Sequence, residues 1–235
     1  MASSAPAPLP GSTVTIPRAL FVFSLLYGGL VVLAGVLGTK LASLGHWPVL
    51  GDLAVESGIF AFLLLVVMSS AVSELYGQAT ANRLVRFGFI PLIVSMVLLS
   101  LVIHVVPPAS FWSDQPAFAR LLGQGARMQF AGLCSYGISQ TLNVYLFSRL
   151  AGGANRGSGS KLLIVRAWVA SLISQVVDTI IFITISFYGT VGADGLPTPV
   201  RSIMEGQIIS KVVLSTIMVP PFIWLFVRLG RKLDA

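Results

Sequence analysis

Charge is scarce in this chain. Only 10% of its 235 residues are Asp, Glu, Lys or Arg, against about 25% in an ordinary soluble domain. So few charges cannot cover a water-facing surface, and with 55% hydrophobic residues and a mean hydropathy of +0.90 the solvent of this chain is lipid. Cysteine is nearly absent: Cys134 stands alone between Leu133 and Ser135 in an apolar segment. That excludes an intrachain disulfide and a thiolate metal cluster, and reads as a small packing residue. Histidine is limited to His46 and His104, and neither has a carboxylate or Cys at ligand spacing on a helix. No Gly-x-Ser-x-Gly or His-Glu-x-x-His occurs, so an enzyme, a metal and a cofactor are not expected. The phosphate-cradling Gly-x-x-x-x-Gly-Lys-Ser/Thr loop is missing too, so any use of ATP must come from another protein.

The net charge of +7 raises nucleic acid as a partner. Its distribution argues otherwise. Lys and Arg fall in short gaps between apolar runs, without a basic patch interleaved with aromatics, and that is where insertion into a membrane places them. Nucleic acid is not an expected partner.

A spanning helix needs roughly 20 mostly apolar residues to cross about 30 Å of hydrocarbon. Six stretches qualify: 19–38, 58–76, 87–106, 129–147, 165–188 and 208–227. Turn-forming residues punctuate them: Gly51-Asp52, Pro107-Pro108, Gly152-Gly153 and the segment 195–199. The expected fold is an all-α membrane protein, a six-transmembrane-helix bundle. Residues 1–17, rich in Ala, Ser and Pro, read as a disordered leader; 18–230 form the transmembrane domain; 231–235 form a short tail. Ten of the fifteen Lys and Arg residues fall in one alternating set of gaps, which predicts that both termini are cytoplasmic.

A charge at the centre of a spanning helix costs roughly 2.5–3.5 kcal/mol on insertion scales, so each one calls for a partner or a function. Asp178 lies deepest, about 20 Å into the fifth stretch at 1.5 Å per residue. Ser171, Gln175 and Asp178 share a helix face at spacings of four and three, with Ser174 and Thr179 flanking it. The face fits a ligand or proton site, or a structural ion pair. The fourth stretch repeats the device: Ile138-Ser139-Gln140-x-x-Asn143 echoes Ile173-Ser174-Gln175-x-x-Asp178. Amides and carboxylates suit a ligand offering both donors and acceptors, and equally serve as polar contacts between helices. Glu74 lies near the cytoplasmic end of the second stretch, free to snorkel or to pair with Arg83. Lys211 enters the sixth stretch at a depth comparable to Asp178, which makes a pair between them an expectation. Pro220-Pro221 should break or kink the same helix. Arg127 and Arg166 open the fourth and fifth stretches as interfacial anchors or as contacts to an anion or carbonyl.

These residues resemble a known family. The run 69–89, with Ser73-Glu74-Leu75-Tyr76-Gly77 followed by Ala79, Arg83 and Gly88, resembles the second-helix signature of the queuosine precursor transporter family, also called the YhhQ-type or VUT family. Residues 166–189 resemble its fifth-helix signature: Arg166, then Ser171-Leu172-x-Ser174-Gln175-x-x-Asp178-Thr179-x-x-Phe182, then Phe187-x-Gly189. Gln140 and Asn143 fit the fourth-helix pattern, and Lys211 and Pro220 the sixth. The resemblance covers 33–225. One departure is Ser70, where the family usually carries Asp four residues before the Glu.

The resemblance implies an inner-membrane transporter importing a queuosine precursor of the 7-deazaguanine type, 7-cyano-7-deazaguanine or a related base. It also implies a fold similar to vitamin-binding subunits of energy-coupling transporters. The implied substrate contacts are Asp178, Glu74, Gln140, Asn143, Gln175, Lys211 and Arg166, with Tyr76 among the aromatics that could stack on the ring. The alternative is the substrate-binding subunit of an ATP-driven energy-coupling vitamin transporter. The expected partners are the small-molecule base and the lipid bilayer; pairing into a homodimer stays open, as does the driving ion.

Overall fold

The computed structural model describes residues 16–151, 160–192 and 194–235, and the side chains of all these except 140, 141, 143–145, 147–151 and 160–172. The expected leader lies outside the described residues, apart from Ile16 and Pro17, and so does all but Ser160 of the Gly/Ser-rich, basic segment 152–160 that the sequence suggests as a connector.

The first helix, α1 (Arg18–Gly38), buries Ala19, Phe23, Tyr27, Val31, Gly35 and Gly38, a stripe at spacings of three and four. Phe21, Leu25, Leu26 and Leu33 on its other sides are exposed. An apolar flank of that extent needs lipid, not water, beside it. The buried stripe packs on Met68 and Val72 of α2 (Ile59–Tyr76) and on Ala81, Leu84 and Leu92 of α3 (Gln78–His104). A single residue separates α2 from α3: Gly77 at φ +83°, a backbone conformation that side chains with a Cβ rarely adopt.

α4 (Gln115–Ala151) and α5 (Ser160–Phe187) pack along one another. Met128 of α4 joins Ile183 and Phe187 of α5 and Ile203 of α6 (Val200–Ile217) in a second core cluster. α7 (Val219–Asp234) follows at once and packs on α2 and α1. The expected break in the sixth stretch is present: α6 and α7 meet at Met218 with a bend of 50°. Pro220 and Pro221 lack the N–H groups that would have continued the ladder across that point.

Among the described residues, α1, α2 and α3 are each long and apolar enough to cross a membrane, and α6 with α7 makes a fourth such segment if the bent pair is one span. The expected fourth stretch falls within α4, and the fifth within α5 except for its last residue, Tyr188. Four helices begin five or more residues before the apolar runs do: α3, α4, α5 at Ser160 rather than 165, and α6 at Val200 rather than 208. α3 starts at Gln78 rather than 87, and α4 at Gln115 rather than 129, because their first turns carry Arg83, Arg86, Arg120, Gln124 and Arg127. Such residues form helix readily while interrupting an apolar run.

The all-helical expectation needs one correction. The gap containing Gly51-Asp52 is a β-hairpin: β1 (Leu41–Trp47) pairs antiparallel with β2 (Gly51–Glu56), with a bulge between Ser43 and Gly45. Leu53 and Val55 alternate inward, the two-residue period of a half-buried strand. Val55 packs with Ile59 and Leu63 of α2 against Leu214 and Val219. α6 lies so close on β2 that a Cβ added to Gly206 would collide with the Ala54 carbonyl.

Candidate functional site

Lys211 of α6 faces α5. Its Nζ lies 3.1 Å from Oδ2 of Asp178 and donates to Oγ1 of Thr179 at 3.0 Å. Both charged side chains are largely covered, 12% exposed for Lys211 and 21% for Asp178. The expected pair is therefore formed. From α4, Ser139 Oγ donates to Asp178 Oδ1 at 3.3 Å. The two Ile-Ser-Gln echoes thus meet across the α4–α5 contact, the serine of one on the acid of the other. From α2, the Phe62 ring lies 5.4 Å from the Lys211 ammonium, within range of a cation–π attraction. Four helices converge on this one ion pair.

The remaining sequence-predicted residues are distributed unevenly. Gln175 sits one turn before Asp178 on α5, and its backbone carbonyl accepts the hydroxyl of Thr179. Gln140, Asn143 and Arg166 lie on α4 and α5, with side chains outside the described residues. Glu74 and Tyr76 are not beside the ion pair. Glu74 is exposed, and twelve residues of α2 separate it from Phe62, about 18 Å along the axis. The Tyr76 hydroxyl donates to Asp234 Oδ2, while Asp234 Oδ1 accepts the Ala19 N–H at 2.9 Å. Those two donors hold the Asp234 carboxyl below its ordinary value, the backbone N–H being the larger cause. Tyr76 and Asp234 thereby tie the end of α2, the start of α1 and the end of α7 together.

Arg127 resolves as a contact to carbonyls. Its Nε donates to Ile185 O and its Nη2 to Tyr188 O, both at 2.6 Å, and Gln124 Nε2 adds a bond to Ser186 O at 2.7 Å. The last carbonyls of a helix have no intrahelical donor, and a cation there also meets the negative end of the helix dipole. α4 in this way caps the C-terminus of α5.

One residue escaped sequence reasoning. Glu56, the last residue of β2, is 4% exposed at the junction of the hairpin with the bundle. Gln207 Nε2, one turn before Lys211 on α6, donates to its Oε1 at 2.9 Å. Its Oε2 lies against Gly38 and Gly58, where an added Cβ on Gly38 would stand 3.0 Å away. Burial pushes the Glu56 carboxyl up to about 7, with Gln207, the Gly58 N–H and Lys211 pulling the other way. The only sequence signal available was the alternation Leu53, Val55 in β2, which marks the strand as half-buried without showing that its last residue is covered. Gln129 is a further buried polar residue: it accepts from Ser95 Oγ at 2.9 Å and fills the space left by Gly35.

The family model described as "Putative vitamin uptake transporter" matches residues 56–225. A protein of Bacillus subtilis (strain 168) named "Probable queuosine precursor transporter" is 30% identical over 126 residues, covering 54% of this chain and 53% of that protein. The chain thus matches about half the length of this curated relative. No solved structure matches.

Proposed function

This chain belongs to the putative vitamin uptake transporter family, and from that premise we propose that it imports a small polar heterocycle, a queuosine precursor of the 7-deazaguanine type. The observation carrying this reading is the Lys211–Asp178 pair, a largely covered ion pair met by four helices in a chain whose solvent is lipid. Desolvating two charges costs several kcal/mol each, and apolar residues packed in their place would hold the helices at least as well. An ionic pair at such a depth is retained for what it does when it opens.

In the proposed cycle, cargo competes for Asp178. A guanine-like edge offers adjacent N–H donors that a carboxylate accepts, and the carbonyl beside them is an acceptor for the Lys211 ammonium. The heterocycle therefore substitutes for both halves of the ion pair at once, and a base with the opposite donor pattern leaves both unpaired. Gln175, Gln140, Asn143 and Arg166 are proposed to complete the polar wall. Glu74 and Tyr76, at the far end of α2, would meet cargo only on its way out. The transport unit is read as six crossings of a bacterial inner membrane with both termini cytoplasmic: α1 to α5 and the bent pair α6–α7. Whether two copies associate is a separate question of mass in detergent or nanodiscs.

The test is uptake of radiolabelled 7-cyano-7-deazaguanine by proteoliposomes holding this chain alone. Saturable uptake that guanine-like bases inhibit and adenine does not is the expected result. Asp178→Asn should abolish uptake while the protein still inserts. Normal uptake by that variant removes Asp178 from the mechanism, and uptake only after adding an ATPase partner favours a binding subunit instead.

A further inference from the structure

Among the described residues, one turn of α6 gathers two carboxylates and one ammonium into a cluster: Gln207 holds Glu56 at 2.9 Å, and Lys211, four residues further on, holds Asp178 at 3.1 Å. With all three ionised the cluster carries a net negative charge in a medium of low dielectric, which is costly unless a cation or proton balances it. One proton makes it neutral. The geometry says which acid takes it. Asp178 receives the Lys211 ammonium directly at 3.1 Å and the Ser139 hydroxyl as well. Glu56 receives only neutral donors, the Gln207 amide and the Gly58 N–H. We propose that Glu56 is a proton-binding site coupled to the cargo site, and that its charge decides whether Lys211 stays with Asp178.

The surroundings of Glu56 fit that role. From α1 it meets the Gly38 backbone, with Met128 of α4 beside the same glycine; from α2 it meets Gly58, from β1 its cross-strand neighbour is Leu41, and from α6 it meets Gln207. Lys211, one turn beyond Gln207 on the same helix face, is the charge that acts on it among the described residues. Gln207 serves either protonation state. As placed, Nε2 donates to the carboxylate and Oε1, fully buried, has no partner among the described residues. A half-turn of the amide presents that acceptor to a carboxyl O–H.

The step balances simply. A hydronium ion on the hairpin side gives one proton to the Glu56 carboxylate: an O–H bond of the hydronium breaks, one forms on Glu56, a water molecule is left, and the Glu56 charge goes from −1 to 0. With Glu56 neutral, Lys211 has one anionic partner, Asp178, and the site is closed. Loss of the proton leaves Glu56 anionic and draws the Lys211 charge toward it, freeing Asp178 for cargo. This coupling rests on the transport reading above, while the proton site itself does not.

The experiment compares the full chain and Glu56→Gln in proteoliposomes, with and without an inwardly acidic pH gradient. The expected result is wild-type uptake changed several-fold by the gradient and Glu56→Gln uptake equal under both conditions. An equal gradient response in the variant, or none in the wild type, overturns the coupling. If neither protein imports the base, the transport reading fails and the proton site is still judged by an infrared pH titration in lipid vesicles. There the wild type should show a neutral carboxyl signal that fades as pH passes through about 7 and that Glu56→Gln lacks; a wild type without this signal overturns the site. Should Glu56→Gln fail to fold, Gln207→Ala is read instead: losing the amide donor should raise the titration midpoint, and an unmoved midpoint counts against the proposal.

Discussion

Lys211 of α6 and Asp178 of α5 stand 3.1 Å apart, ammonium to carboxylate, so these two helices are tied by charge as well as by packing. Removing one partner strands the other. Asp178→Ala should therefore cost about 3–5 kcal/mol, and Lys211→Met a similar amount. The double variant should regain much of that stability, because no charge remains buried alone. Denaturant or thermal unfolding of all four proteins in one detergent measures the coupling. A double variant as unstable as the sum of the singles would show that the pair is not the contact described.

Glu56 makes the stability of the protein depend on pH in a direction opposite to that of most acids. Its folded carboxyl holds a proton up to about 7, against an ordinary value of 4.5. Between those values the folded chain binds a proton that the unfolded chain has released, so stability falls as pH rises through that window. Below it the contribution is fully present, and above it fully lost. Glu56→Gln should flatten this slope, measured as Tm against pH from 4 to 8 in steps of about half a unit. An unchanged slope would assign the dependence to another group.

Tyr76→Phe separates two roles of one side chain. It deletes the hydroxyl that reaches Asp234 and keeps the ring. A stability loss of about 1 kcal/mol is expected, together with faster amide exchange over the last turns of α7. Uptake should survive if the ring alone matters to cargo, and Tyr76→Ala should then lower uptake further.

Gly206→Ala should destabilise the hairpin contact by about 1–3 kcal/mol, because the added methyl group meets the Ala54 carbonyl rather than a side chain that can move. Protease cleavage within 41–56 is the readout: the variant should be cut faster there than the wild type. Equal cleavage would show that α6 can retreat from β2 at no cost.

Arg127→Gln should weaken the end of α5. The guanidinium bonds to Ile185 O and Tyr188 O are charge-assisted, and losing them is worth about 1.5–3 kcal/mol. Amide exchange over 184–190 should rise selectively, with the Lys211–Asp178 region unchanged. A uniform rise along the chain would indicate global loosening.

What sequence alone could settle was the solvent and the deep charges. A chain with 10% charged residues and runs of apolar residues long enough to span hydrocarbon belongs in lipid wherever its helices pack. In that solvent a carboxylate and an ammonium on neighbouring helices at similar depth are drawn to one another, which is why Asp178 with Lys211 was legible. The break near Pro220 was legible for a covalent reason, the missing N–H. Glu56 was not. In the sequence it looks like any loop acid between Gly51 and Gly58, because exposure depends on what other segments bring to it. Only the folded chain stacks α1, α4 and α6 around the end of a hairpin that no apolar run announces, and only then does a loop carboxylate become a buried one. The separation of Tyr76 and Glu74 from the ion pair has the same origin: the motif places them next to each other in sequence, but distance along α2 and the contact with Asp234 are decided by packing.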